Sequence, residues 1–263
     1  IRPEDTDILV TKGFIEFKLD QLEAADHTFK EILKSHPQHY EAMYFRGFTN
    51  LKQKNFEIGW ELFDHRWNSP SFLSKRYNFE TAEWNGSSSG EKLLIWDEQG
   101  PGDQIMCSLF FNKPLNNFDE IFILCDPRLQ GIFSRSFDKN ITFLPNDYDI
   151  KKVKYDEHLS MFGLLKYYAK QDQDPKKNEV TLKFDDNEVN RIKGKLNSER
   201  KICGISWFSK NNQSGKDRSY GLLNFIKSFG NSMHDYVYVN LQYNSSVEEI
   251  AQVSRKLGVT IYN

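Results

Sequence analysis

The chain has 263 residues, of which 38% are hydrophobic, 14% aromatic and 27% charged, with a formal net charge of -2. This composition excludes a disordered chain and leaves room for two domains or one large one. The balanced charge excludes a molecule that binds nucleic acid through its overall field, and no apolar run is long enough to span a bilayer.

Cys107, Cys125 and Cys203 lie far apart, each in an apolar context. Without Cys-x-x-Cys or Cys/His ligand spacing they are expected to be buried reduced thiols, not disulfides or zinc ligands. A cytoplasmic setting, no metal and no cofactor follow as expectations. The sequence opens on Ile1, not Met, so its true N-terminus is expected upstream and a removed targeting segment stays open.

From residue 8 to about Trp67 the sequence repeats itself at a spacing of 34 residues. Gly13 aligns with Gly47, Ala25 with Gly59, and Phe29 with Phe63. The small residues suit close helix–helix approach, and the aromatic pair suits packing between neighbouring units. Pro37 closes the first unit, and Pro70 comes close to doing so for the second. Two such units are too few for a free solenoid, so they are expected to pack on more repeats or on the next domain.

Residues 72–90 cross to a different kind of sequence. Asn85-Gly-Ser-Ser-Ser-Gly90 is a loop by composition, and Trp84 before it is read as a packing anchor. Next comes Leu93-Leu-Ile-Trp-Asp-Glu-Gln-Gly-Pro-Gly-Asp-Gln-Ile-Met106. Its apolar start predicts a buried strand. Gly100 and Gly102 predict a tight loop open to a ligand, and a helix with Ile105, Met106, Leu109 and Phe110 on one face runs until Pro114. Strand, glycine loop and helix in that order open a doubly wound α/β unit. Asp103 stands where the loop becomes the helix, so it can cap that helix or face a substrate.

Residues 121–125 and 141–144 predict further strands, with a helix opened by Pro127 between them. Residues 156–160 read as a loop, which makes His158 a weaker candidate base than Asp103. A helix follows to about Lys170, then a polar stretch, 171–178, that reads as a linker. Residues 180–184 predict a short strand and 187–197 a charged helix. Ile202-Cys-Gly-Ile-Ser-Trp207 restarts the strand signal. The loop after it carries Lys210, Lys216 and Arg218, placed where open α/β sheets bind ligands and able to clamp phosphate. Helices near 222–226 and 247–257 and strands near 236–241 and 259–262 complete this part. The expected divisions are helical repeats over 1–70, a first Rossmann-like unit over 84–175 and a second, incomplete one over 179–263.

The spacing and small-residue pattern of the first third resemble the tetratricopeptide repeat. Trp84-Asn-Gly86, Leu94-Ile-Trp-Asp-Glu-Gln-Gly-Pro-Gly-Asp103, His158-Leu-Ser160, Gly204-Ile-Ser-Trp207, Arg218-Ser219 and Leu241-Gln242 resemble a bacterial-type family in which such repeats are fused to a glycosyltransferase-like region. That region is similar to the lipopolysaccharide heptosyltransferases, whose fold is two facing Rossmann-like domains, GT-B. The resemblance implies transfer of a sugar from a nucleotide-sugar donor to a protein or surface-glycan acceptor recruited by the repeats. It implies Asp103 as the base that deprotonates the acceptor hydroxyl, and Lys216 or Arg218 at the donor phosphates. It implies Glu98, Gln99, Gly100, Gly102, His158, Ser160 and Trp207 around the substrates. Phe208 departs from the family pattern, and the family's later strands with their donor loops do not appear before Asn263.

A second hypothesis is a non-catalytic binding or scaffold protein, in which the repeats do the work and the α/β part is degenerate. A nicotinamide-dependent oxidoreductase is disfavoured, because the Gly-x-Gly-x-x-Gly pattern is incomplete.

Overall fold

The computed structural model describes residues 6–74, 76–169, 180–196, 199–209 and 218–263. The chain divides into two compact units, Ile1–Phe184 and Asp185–Asn263.

The first unit begins with helical hairpins, α1 (Thr6–Lys18) with α2 (Leu22–Ser35), and α3 (Tyr40–Lys52) with α4 (Phe56–Phe63). Both bounds of α3 lie 34 residues beyond those of α1. The repeat extends to the turns: Asp20 and Lys54, at equivalent positions, both adopt left-handed backbone, with φ of 62° and 65°. The small residues have a steric cause. A Cβ on Gly13 would lie 2.7 Å from the Phe29 ring, and one on Gly47 would lie 2.6 Å from the Phe63 amide nitrogen. A 3-10 turn, Asp64–Asn68, closes the helical region.

A parallel five-stranded sheet follows, built from β1 (Ala82–Glu83), β2 (Gly90–Trp96), β3 (Phe118–Cys125), β4 (Ile141–Pro145) and β5 (Glu157–Ser160). The strand order is β1-β5-β2-β3-β4, a Rossmann-like arrangement. Leu93 to Trp96 are buried at its centre. The chain runs from β2 outward to β4, then returns to the other side of β2 as β5. The switch point, where open sheets of this kind bind ligands, is therefore at the carboxyl ends of β2 and β5. The crossovers carry α5 (Pro101–Cys107) and α6 (Pro127–Ser136), and α7 (Gly163–Tyr168) follows β5.

The helices are continuous with the sheet's core. Tyr44, Trp60 and Phe63 share a buried cluster with Leu93, Ile95 and Phe162. The Phe63 and Phe162 rings stack with centroids 5.8 Å apart.

Several expectations are corrected. The helix after the glycine loop ends at Cys107 and passes into 3-10 turns, and Pro114 lies inside one of them, Lys113–Asn116. Its buried residues are Gln104 and Cys107, with Ile105 and Met106 exposed. The rotation has a polar cause: Gln104 turns inward, and its Oε1 accepts from the Asp126 amide at 2.8 Å. His158 is in strand β5, not in a loop. Residues 180–184 form no strand. Instead Leu182 packs on the first unit's core, and the Lys183 amide donates to Ser136 Oγ at 2.8 Å. The stretch read as a linker, 171–178, lies outside the described residues.

The second unit contains α8 (Asp186–Lys195), β6 (Lys201–Ile205), α9 (Leu222–Lys227), β7 (Tyr236–Asn240), α10 (Val247–Leu257) and β8 (Ile261–Tyr262). Its three strands are parallel, in the order β6-β7-β8. Ser246 caps α10, its Oγ accepting from the Glu249 amide at 3.2 Å. Gly258 ends that helix at φ 64°, a left-handed position that suits glycine. Ile205, Trp207, Leu222, Tyr238 and Ile250 form the core. Among the described residues, no helix is long and apolar enough to cross a membrane.

Candidate functional site

The segment that leaves β2 carries two polar networks. Asp97 lies at the end of the strand. Its Oδ1 accepts from the Tyr77 hydroxyl at 2.8 Å, and its Oδ2 accepts from Asn146 Nδ2 at 3.1 Å. Burial and the adjacent Asp97 carboxylate push the Tyr77 hydroxyl's pKa up, so it stays protonated and donating. Ser74, Tyr77, Asp97, Glu98, Gln99, Gly100, Asn146 and Asp147 line an open cleft of about 520 Å³ at the carboxyl ends of β2 and β4.

The Glu98 carboxylate turns the other way, into the interior. Its Oε1 and Oε2 accept from Arg66 Nη2 at 2.8 Å and Nε at 2.9 Å, and Oε1 also accepts from the Phe162 amide at 3.0 Å. Arg66 Nη2 reaches Ser160 Oγ at 3.0 Å, and the same oxygen accepts from the Gly163 amide at 3.2 Å. Arg66 Nη1 donates to the Phe63 carbonyl at 3.3 Å and to Asp64 Oδ1 at 3.2 Å. The guanidinium lies 4.7 Å from the Phe63 ring centre and 4.6 Å from that of Trp67. Glu98 and Ser160, expected beside a substrate, are thus bound into a buried structural clamp. The clamp sits at the switch point.

Gln99 adopts φ 65°, a left-handed conformation uncommon outside glycine, asparagine and aspartate. It is exposed, and Gly100 follows as the N-cap of α5. The Gly100 amide donates to Asp103 Oδ2 at 3.1 Å, while the Asp103 amide donates to the Gly100 carbonyl at 3.1 Å. Asp103 is therefore in the first turn of α5, reaching back to cap it, with a half-buried side chain. A Cβ on Gly102 would meet nothing within 4 Å. Open space, strained backbone and a carboxylate thus coincide over residues 99–103.

His158 is buried in β5. Its ring stacks on Phe79 with centroids 3.6 Å apart, and Trp96 Nε1 donates to its Nδ1 at 3.3 Å. Burial first, and the positive charge of Arg76 second, draw its pKa down to about 4. A neutral ring held this way supports β5 against β2 and Phe79, and has little of the proton affinity a base needs near neutral pH.

In the second unit, Trp207 is buried in the core and Arg218 is exposed. Lys210 and Lys216 lie outside the described residues. The ordering device here is Gln242. Its Oε1 accepts from Ser206 Oγ at 2.9 Å and from the amides of Trp207 at 3.1 Å and Phe208 at 3.0 Å. Gln242 thereby fixes the chain leaving β6. The Ser219 hydroxyl accepts from the Ser209 amide at 3.0 Å, joining the two ends of the loop that carries Arg218.

Among the described residues, no cluster of His, Cys, Asp or Glu has metal-holding geometry. Burial pushes the Cys125 thiol up to about 12 and that of Cys107 well above its ordinary value. Sequence reading assigned Arg66, Tyr77, Asp97 and Asn146 no role, and Gln242 stood in a quoted motif without one. The members of the cleft that the sequence singled out were Glu98, Gln99 and Gly100.

No family model matches the chain. It is similar to the protein FlbA of Caulobacter vibrioides, with 24% identity over a 287-residue alignment. That alignment covers 100% of this chain and 47% of FlbA, so the chain spans about half the length of this curated relative.

Proposed function

We propose that the chain belongs to a glycosyltransferase of the heptosyltransferase-like kind, with tetratricopeptide-like hairpins at its amino end. In this reading the two Rossmann-like units are the halves of a GT-B enzyme. A nucleotide-sugar donor and a hydroxyl-bearing protein or surface-glycan acceptor are its substrates. The observation that carries the reading is the carboxylate of Asp103 beside the strained, open loop at the end of the central strand. Its Oδ2 engages the Gly100 amide. Asp103 takes the proton from the acceptor hydroxyl as that oxygen attacks the anomeric carbon, and the nucleoside diphosphate leaves with the bonding electrons. Lys216 and Arg218 supply positive charge to the departing phosphates. The repeats recruit the acceptor.

A second reading, a non-catalytic scaffold, is favoured by the Arg66–Glu98 clamp. It engages Glu98 and Ser160, two of the residues expected around the substrates, with protein groups.

Asp103→Asn separates the two. Asn keeps an oxygen for the Gly100 amide and caps about as well, so the melting temperature should hardly move. Donor binding should also stay near wild type. Turnover, read as nucleoside diphosphate release across a panel of nucleotide sugars and glycan acceptors, should fall by roughly 100- to 10,000-fold. Full turnover in the variant reduces Asp103 to a cap. No turnover in the wild type with any donor moves the assignment to the scaffold.

A further inference from the structure

The cleft at the carboxyl ends of β2 and β4 lies beside Asp103 but is built by other residues. Three distant stretches of the first unit supply its wall, 74–77, 97–100 and 146–147. Its volume of about 520 Å³ is that of a small-molecule site. The wall adjoins the proposed base: Gly100 lines the cleft, and its amide donates to Asp103 Oδ2 at 3.1 Å.

What this wall offers a ligand is mostly acceptor. Asp97 takes one donor on each oxygen, from Tyr77 and from Asn146, and a carboxylate has room for about as many again. The Tyr77 proton is shared between Asp97 Oδ1 at 2.8 Å and the Asn146 carbonyl at 3.0 Å. Asn146 gives its Nδ2 to Asp97 and keeps its side-chain oxygen. Asp147, exposed on the turn after β4, adds its charge to that of Asp97 at the Tyr77 hydroxyl. The Glu98 charge is met by Arg66. Among the described residues, no lysine or arginine stands in the wall to meet those of Asp97 and Asp147.

Such a wall sorts ligands by charge. A phosphate or carboxylate entering it would lose water beside two carboxylates, with no cation to receive it. A hydroxyl donates without adding charge, and an ammonium donates while neutralising one. A single serine or threonine hydroxyl could use one of these acceptors, whereas a sugar ring carries hydroxyl donors on several sides. We infer that the cleft holds a neutral or amino sugar unit of a glycan acceptor and rejects phosphorylated or acidic ones. The inference rests on the glycosyltransferase reading, in which Asp103 meets a hydroxyl of that unit. Asp97 and Asp147 are then the groups that select the acceptor.

The test is binding to the full chain, without donor, of three probes that differ in charge: methyl glucosaminide, methyl glucoside and methyl glucuronide. Ligand-observed NMR titration gives each Kd. The glucosaminide should bind most tightly and the glucoside more weakly, with no saturable binding of the glucuronide up to about 10 mM. Asp147→Lys should weaken the glucosaminide about threefold to tenfold and admit the glucuronide. Asp147→Asn should fall between. The position is exposed, and matching thermal melts establish that the variants are folded. No saturable binding of the glucosaminide up to about 10 mM overturns the inference. So does a glucuronide bound as tightly, or a glucosaminide affinity that Asp147→Lys leaves unmoved. Turnover judges the parent reading separately. The expected sugar binding with no turnover upholds the cleft's selectivity and removes the transferase. Turnover that prefers a phosphorylated acceptor keeps the transferase and overturns the selectivity.

Discussion

Arg66 and Glu98, 32 residues apart in sequence, form a two-pronged ion pair with both side chains buried, at 2.8 and 2.9 Å. The arginine comes from the turn that ends the helical hairpins, and the glutamate from the loop after the central strand. Each is held by further partners: Ser160, Asp64 and the Phe63 carbonyl on one side, the Phe162 amide on the other. Such a pair contributes little relative to a well-packed apolar substitute, but breaking it strands a charge.

The first prediction follows from that asymmetry. Arg66→Ala should lower the free energy of unfolding by about 3–5 kcal/mol. Arg66→Lys should also be clearly destabilising, because an ammonium cannot match the fork of the carboxylate. Urea titration measures both. An Arg66→Lys variant as stable as wild type would show that geometry at this pair is unimportant.

The second concerns pH. His158 has a folded pKa near 4, below the ordinary histidine value. Between these two values the unfolded chain binds the proton and the folded one does not, so stability rises with pH across that window. The neutral ring's contribution is fully present above about pH 6.5 and is lost as pH falls toward 4. The slope approaches about 1.4 kcal/mol per pH unit. Carboxylates titrate in the same range, so the measurement is the difference between wild type and His158→Asn. That difference should shrink as the pH falls from 7 to 4. A constant difference refutes it.

A third prediction contrasts two glycines. Gly47→Ala drives a methyl into the Phe63 backbone and should destabilise by about 1–3 kcal/mol, the usual range for overpacking. Gly102→Ala meets no atom within 4 Å and should be neutral or up to about 1 kcal/mol stabilising by helix propensity. If residues 99–103 hold a ligand, Gly102→Ala weakens ligand binding or turnover despite its stability. Unchanged activity in that variant would place the ligand elsewhere.

The fourth belongs to the second unit. Gln242→Ala removes the acceptor for the Trp207 and Phe208 amides. The expected cost is about 2–4 kcal/mol, the scale of two stranded donors. Trp207 fluorescence reports it during urea unfolding. Gln242→Glu keeps the acceptor oxygen and should lose less.

What sequence could convey here depends on range. The hairpins were legible because Gly13 and Phe29 recur as Gly47 and Phe63 at one fixed spacing. Strands β2, β3 and β4 were legible as continuous apolar runs bounded by turn residues. Strand β5 was not, because Glu157-His158-Leu159-Ser160 has a single aliphatic side chain. It is buried by what surrounds it, Trp96 and Phe79, not by its own composition. The face of α5 was misjudged because Gln104 is drawn inward by a backbone amide 22 residues later, and apolar periodicity cannot register that. The site divided the same way. Asp103 and its glycines advertise themselves as a local motif. Arg66 gives no local sign of its role, since its partners are scattered over residues 63–160. Tyr77, Asp97 and Asn146 meet only in the fold.

The Arg66–Glu98 pair also decides how this protein can be cut. A fragment starting at β1 would keep Glu98 and lose its cation, leaving a carboxylate in the sheet's interior facing a hole where aromatic rings had been. A fragment ending at Asn68 would keep the cation and lose the acid. The hairpins therefore cannot be lifted off as a cassette for binding studies, nor the sheet shortened for crystallisation. The division between the two compact units lies after Phe184, and an experimenter seeking a smaller folded piece should begin there.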